Sequence, residues 1–161
     1  MKKLETLSDD ELMRTRAKVD AELRRRGLAY SVGEFGEHAA IRHFNSTKGL
    51  PNLQKAPTGT KNIDALSREG ERYSIKTICK GRKTGTVYPD RKDSNKQLFE
   101  YLLVVMLDPD WNLVAIHEFT WDAFVEVRSW DKRMNAWYLG VSGRVFGAAK
   151  LVWKSEHPDN L

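Results

Sequence analysis

Cysteine is almost missing from this chain. Cys79 is the single one in 161 residues, which excludes an internal disulfide framework and any cysteine-rich zinc site. Long apolar runs are missing as well. No stretch approaches the roughly 18 residues that a membrane-spanning helix requires, and no signal-peptide pattern opens the sequence. A soluble, cytoplasmic protein with no membrane partner is therefore the expectation. Neither an internal repeat nor a low-complexity tract is present. Thr58-Gly59-Thr60-Lys61 is too poor in glycine, and sits in the wrong context, for a phosphate-cradling P-loop. His38 and His43 have no partners at metal-ligand spacing, which leaves them as surface or helix-packing residues.

What is present suits one globular domain. Hydrophobic residues make up 40% of the chain and five are Trp, enough apolar surface at this length to form a single core. The formal net charge is +5, and its location matters more than its size. Between residues 76 and 96 lie Lys76, Lys80, Arg82, Lys83, Arg91, Lys92 and Lys96, against only Asp90 and Asp93. That segment carries the whole excess. A charge run is ordinarily a solvated loop, but one of this density is also suited to gripping a polyanion.

The chain is organised around residues 62–77, which read as two short strands joined by a turn at Ser67, Arg68, Glu69 and Gly70. Strand alternation puts Tyr73, Ile75 and Thr77 on one face and Ser74, Lys76 and Ile78 on the other. A lysine among isoleucines is costly to desolvate without an anionic partner. Asp64 is the nearest candidate in sequence, and a hairpin centred near Gly70 places residue 64 opposite about residue 76. Two readings compete: a cross-strand ion pair, or an acid that holds a divalent metal beside a lysine that orients or deprotonates water.

Two helices precede this hairpin. Residues 7–26 carry a capping box at Ser8 and Glu11, with Leu7 placed to staple onto Leu12. Leu12, Val19 and Leu23 form an apolar stripe, Arg24, Arg25 and Arg26 suit the last turn, and Gly27 suits the end. A second helix is expected over residues 31–44, with Ser31 and Glu34 as another capping box. Glu37 shares a helical face with Ala40, Ile41 and Phe44, at offsets of three, four and seven. Either the helix is rotated and Glu37 is a surface acid, or it points towards Asp64 and Lys76.

Asp64, a glycine-containing hairpin and then Ile75-Lys76 resemble the core of the PD-(D/E)xK nuclease superfamily, whose fold is restriction-endonuclease-like. Gly33-Glu34-Phe35-Gly36-Glu37 after the Arg-Arg-Arg-Gly helix end, and the Phe-Glu-Tyr-Leu-Leu-Val-Val-Met-Leu run, resemble it too. The resemblance covers roughly residues 24–119. It implies that Asp64 binds a metal with the Ile75 carbonyl and Glu37, that Lys76 acts on the attacking water, and that Ser74 stands where the family carries its second acid. Serine is a weaker metal ligand than a carboxylate. Glu100 is the reserve candidate for the missing acid; the alternative is a strand-edge Glu with no further role. Hard oxygen ligands suit Mg²⁺, with Mn²⁺ as a substitute.

Downstream, residues 81–95 read as a basic loop, and Arg82, Lys83, Thr84, Thr86, Arg91 and Lys92 within it, with Lys80 and Lys96 at its ends, are the expected contacts to a nucleic-acid backbone. Residues 99–107 form a continuous apolar run expected as a buried central strand. A turn at Asp108-Pro109-Asp110 leads to a returning strand over 112–119, and Thr120 caps a short helix over 121–127. Residues 45–61 read as loop, 128–135 as irregular and 136–140 as a strand. Residues 142–153 give conflicting signals for strand and helix. Trp130, Trp137 and Trp153 read as packing residues.

The expected architecture is α/β: a mixed central sheet of about five strands flanked by helices, restriction-endonuclease-like, in one domain. It comprises a helix over 1–27, a core over 31–119 and an accessory segment over 120–161. The expected function is a metal-dependent DNA endonuclease acting on duplex DNA. A catalytically impaired DNA-binding module on the same fold is the alternative, and the sequence leaves a homodimer open.

Overall fold

The computed structural model describes residues 2–28 and 31–156. Helix α1 (Asp9–Arg25) begins with the expected capping box: the Ser8 hydroxyl accepts from the Glu11 N–H, and the Glu11 carboxylate accepts from the Ser8 N–H. Gly27, at φ 63°, ends the helix in the left-handed region that glycine tolerates. The apolar stripe of α1 does not enter the core. No residue of the helix is buried, and Val19 remains 53% exposed. Ion pairs along its own surface, Asp10 with Arg14 and Glu22 with Arg25 and Arg26, support it instead.

Helix α2 (Val32–Ser46) starts where the Ser31 hydroxyl accepts from the Glu34 N–H. Gly36, Ala39, Ala40 and Phe44 are its buried residues, a stripe at helical spacing. Six strands then build one mixed sheet: β1 (Leu53–Lys55), β2 (Ala65–Ser67), β3 (Arg72–Ile78), β4 (Tyr101–Leu107), β5 (Leu113–Thr120) and a last strand at the C-terminal end. After β5, Thr120 caps α3 (Trp121–Val127) by accepting from the Ala123 N–H. A separate hairpin follows, β6 (Ser129–Asp131) with β7 (Ala136–Tyr138), then α4 (Gly143–Gly147) and β8 (Lys150–Lys154). The sheet order is β1-β2-β3-β4-β5-β8, with β3 and β4 parallel and every other neighbouring pair antiparallel.

Among the described residues the sheet thus has six strands where about five were expected, and four short elements (β1, β6, α4 and β8) arise from segments that read otherwise or ambiguously. β1 lies in a stretch that reads as loop, and it is held from outside: the Asn45 side chain on α2 both donates to the Leu53 carbonyl and accepts from the Leu53 N–H. β6 lies in a stretch that reads as irregular. The conflicting signals over 142–153 resolve into both a helix and a strand, in succession. Among the described residues no helix is long and apolar enough to cross a membrane.

The sheet is packed on both faces. Tyr73, Ile75, Leu103, Val105 and Ile116 meet Ala40 and Phe44 of α2 on one side. On the other, Ile78, Leu102, Val104 and Phe119 meet Phe124, Val127, Val87, Leu139 and Val145. The alternation expected for β3 holds: Tyr73 and Ile75 lie towards α2, whereas Ile78 lies towards the segment after β5. β4, continuous in apolar residues, is buried from both sides.

Candidate functional site

The sheet register places Asp64 differently from the sequence expectation. Ala65 pairs with Tyr73 and Leu66 with Arg72, so the hairpin centres one residue earlier than Gly70 and Asp64 falls opposite Ser74, not Lys76. The Asp64 N–H continues the ladder by donating to the Tyr73 carbonyl at 2.8 Å. Its side chain then takes the place of the next backbone acceptor: Oδ2 accepts from the Ile75 N–H at 2.7 Å. A carboxylate that ends a strand ladder in this way is held in one orientation by a charge-assisted bond. In an extended strand the N–H and C=O of one residue point to the same side. The Ile75 carbonyl is therefore turned to the same edge of β3, just beyond the end of β2.

Lys76 follows on the opposite face from Ile75. It is half-buried, and among the described residues it makes neither a hydrogen bond nor a close ion pair. The cross-strand ion pair is absent. Burial depresses the Lys76 pKa below its ordinary value, and the charges of Asp64 and Glu37 offset part of that effect. Glu37 shows the mirror image: burial raises its pKa, Asp64 adds to the rise, and Lys55, more strongly than Lys76, opposes it. These mutual influences bring Glu37, Asp64 and Lys76 into one electrostatic cluster although they sit on α2, before β2 and on β3. Among the described residues no fully enclosed polar side-chain atom goes without a partner, so the unbonded Lys76 ammonium, Glu37 carboxylate and Ser74 hydroxyl each keep some contact with solvent.

The close approach of α2 to β3 sets this geometry. Gly36 is buried, and a Cβ there would fall inside the Thr77 side chain. Thr77 Oγ1 also donates to the Gly33 carbonyl at 3.4 Å. At the other end of the helix, the Phe44 ring meets Tyr73 edge-on at 6.0 Å. α2 therefore runs antiparallel to β3, with Glu37 level with the end of β3 that carries Lys76. The Gly33-x-x-Gly36-Glu37 spacing carries this signal in the sequence, because two glycines one turn apart permit close packing. Lys55 escaped detection because β1 is too short to show any alternation.

The remaining expected residues divide. Ser74 lies on the same face of β3 as Lys76, is 1% exposed, and its hydroxyl makes no hydrogen bond among the described residues. Glu100 is not part of the cluster. Its carboxylate accepts from the Arg72 N–H at 2.6 Å and from the Arg72 guanidinium at 3.0 and 2.8 Å, at the far end of β3 from Lys76. That pairing fully occupies it as a structural clamp between β3 and β4. Thr84 is removed from the phosphate contacts: it is buried, its hydroxyl donates to the Gly85 carbonyl and accepts from the Leu139 N–H. Thr86 is half-buried, whereas Lys80, Arg82, Lys83, Arg91, Lys92 and Lys96 are exposed. Lys83 and Lys96 pair with Asp131 and Asp90 at 3.5 and 3.8 Å. His43 rests on Trp153 with ring centres 5.6 Å apart.

Two carboxylates and one carbonyl are what the cluster offers a metal. Among the described residues no group of three or more His, Cys, Asp or Glu side chains is placed to hold one. This is a thin set, but it matches the habit of Mg²⁺, which takes one or two carboxylates and completes its shell with water and substrate phosphate. The chain matches no known family model and no curated protein sequence.

Proposed function

We propose that this protein is a Mg²⁺-dependent DNA endonuclease of the restriction-endonuclease-like kind. The observation that supports the reading is that Glu37, Asp64 and Lys76, from three separate elements, lie near enough to feel one another's charge, with Asp64 bonded to the Ile75 N–H. Structural ion pairs would have closed on one another; these three groups keep free atoms facing water, and burial disfavours the charged forms of Glu37 and Lys76. Groups held at such a cost mark functional sites more often than structural ones.

In this reading Asp64, Glu37 and the Ile75 carbonyl would hold the metal, which when bound would supply positive charge beside the scissile phosphate. Lys76, with its depressed pKa, is suited to orient the attacking water and to accept its proton. The Ser74 hydroxyl, opposite Asp64 in the register, would hydrogen-bond a metal-bound water where a carboxylate would contribute charge. Exposed Lys80, Arg82, Arg91 and Lys92 supply the phosphate contacts that position duplex DNA.

One observation favours a second reading, a DNA-binding module without cleavage: Ser74, opposite Asp64 in the register, is neutral, and Glu100 is paired with Arg72 instead of replacing the missing acid. Incubation of the protein with duplex DNA in Mg²⁺, in Mn²⁺ and in EDTA tests both. Metal-dependent cutting supports the endonuclease. Retention of DNA in a mobility shift with no cutting in either metal supports the binding module, and neither cutting nor retention defeats both.

A further inference from the structure

The accessory segment after β5 and the basic loop before β4 form a single unit. The Thr84 N–H donates to the Leu139 carbonyl at 2.9 Å, Val87 and Trp137 exchange backbone bonds at 2.7 and 2.9 Å, and the Val141 N–H donates to the Arg82 carbonyl at 2.7 Å. The loop thereby lies as a third strand-like edge along β7. Val87, Ala136 and Leu139 are buried beneath it, and Val87 and Leu139 pack with Ile78 on the face of the sheet from which Lys76 emerges.

Aromatic rings and cations meet around this unit, with Trp137 half-buried against the core and Trp130 further out. Trp130 meets Trp137 edge-on at 4.8 Å, yet remains 40% exposed. The Arg128 guanidinium lies 3.8 Å over the Trp137 ring, and the Lys83 ammonium lies 5.0 Å over Tyr138. The hairpin tip is Asp131-Lys132-Arg133-Met134-Asn135. Its one acid is consumed internally: Asp131 accepts from the Arg133 and Met134 N–H groups and pairs with Lys83. Lys132 and Arg133 are left exposed and uncompensated beside Trp130.

We propose that the β6–β7 hairpin is a nucleic-acid contact element in which Trp130 stacks on an unpaired base while Lys132 and Arg133 hold its flanking phosphates. The inference rests on the nucleic-acid reading above. Its chemistry is that of single-strand recognition, where an aromatic face takes any base and nearby cations track the backbone. Burying Trp130 fully would have gained apolar contact; it instead packs edge-on against Trp137 and stays 40% exposed, beside the loop proposed to grip the duplex, whose Val87 bonds to Trp137.

The test compares binding of the full chain to a short single-stranded oligonucleotide and to an abasic oligomer of equal length, by fluorescence anisotropy without metal. Trp130→Ala should weaken binding of the oligonucleotide by roughly 5- to 150-fold and leave the abasic oligomer unchanged. Trp130→Phe should retain most of the affinity. Lys132→Ala with Arg133→Ala should weaken both oligomers and flatten the salt slope by about 1.4 units. Trp130→Ala binding the oligonucleotide as the wild type does would overturn stacking. Equal weakening on both oligomers would assign Trp130 a structural role and overturn it too. If the wild type binds neither oligomer nor duplex DNA, the underlying nucleic-acid reading fails.

Discussion

Gly36 on α2 lies so close to Thr77 on β3 that a methyl group on its Cα would overlap the threonine side chain. This contact fixes the height of Glu37 over the sheet, one residue further along the helix.

Gly36→Ala is therefore expected to do more than its helix propensity suggests. Alanine favours a helix by about 1 kcal/mol over glycine, but overpacking at a rigid helix–strand contact costs about 1–3 kcal/mol. The net should be a lower Tm, measurable by thermal melting, together with a loss of Mg²⁺ affinity as Glu37 is lifted from Asp64. A double variant with Thr77→Ala, which removes both Oγ1, the nearest atom, and Cγ2, should recover part of both. A rise in Tm on Gly36→Ala alone would show that α2 is free to move and that the contact does not position the site.

Lys76 offers a separate test, because its burial costs stability. The fold favours neutral lysine, so the unfolded chain binds more protons as pH passes from the depressed native pKa to the ordinary 10.5. Stability from this group is present above the ordinary value and lost as pH falls through the native one. Below the native pKa the full cost applies. Lys76→Met should consequently raise Tm at pH 7 by roughly 2–4 °C, from about 1 kcal/mol, and abolish cleavage. The gain should shrink as pH approaches 10.5. A destabilised Lys76→Met variant would place the lysine among structural ion pairs.

Asp64 has two tasks that can be separated. Asn in its place keeps an oxygen to accept from the Ile75 N–H but carries no charge; Ala keeps neither. Asp64→Asn should remain near wild-type stability while Mg²⁺ binding, followed by calorimetry, is largely lost. Asp64→Ala should lose Mg²⁺ binding and about 1–3 kcal/mol of stability as well, since the Ile75 N–H is left without its acceptor. Equal Mg²⁺ affinity in Asp64→Asn and the wild type would remove Asp64 from the metal site.

The elements that were legible in the sequence are those whose signal is local. The Ser8–Glu11 capping box, the Thr120 cap and the apolar run that became β4 each carry their cause within a few residues. β1 and β6 do not, because strands of three residues are defined by what pairs with them: Asn45 staples β1, and β7 holds β6. At the site, Glu37 and Lys76 could be selected because each is a charged group among apolar neighbours, and Asp64 because it is the nearest acid across the hairpin from Lys76. Their spatial relation was only half legible. A shift of the turn centre by a single residue moved Asp64 from Lys76 to Ser74, and turn geometry, not composition, sets that register. The basic loop read correctly as a charge run, but burial of Thr84 depends on Leu139, 55 positions away. The stripe on α1 shows the converse: periodicity predicts an apolar face but not that another element will cover it.

Ser74→Glu is the decisive substitution, because it restores an acid at the position opposite Asp64. Ser74 is buried, so a carboxylate there without a counter-ion pays for desolvation; the variant should melt lower than the wild type in EDTA. Added Mg²⁺ should reverse the loss, since a ligand that binds only the native state stabilises by about 2.7 kcal/mol at a hundred times its Kd. A Tm that depends more steeply on Mg²⁺ in Ser74→Glu than in the wild type would place residue 74 at the metal. Cleavage then separates the two functional readings. If the wild type cuts duplex DNA, Ser74→Glu should cut at least as fast, and Glu37 is the acid that serves in its absence. If only Ser74→Glu cuts, the natural protein is a binding module whose missing acid is the lesion. If neither protein cuts and neither binds Mg²⁺ or Mn²⁺ in calorimetry, the nuclease assignment is wrong and the Glu37, Asp64 and Lys76 cluster serves another chemistry.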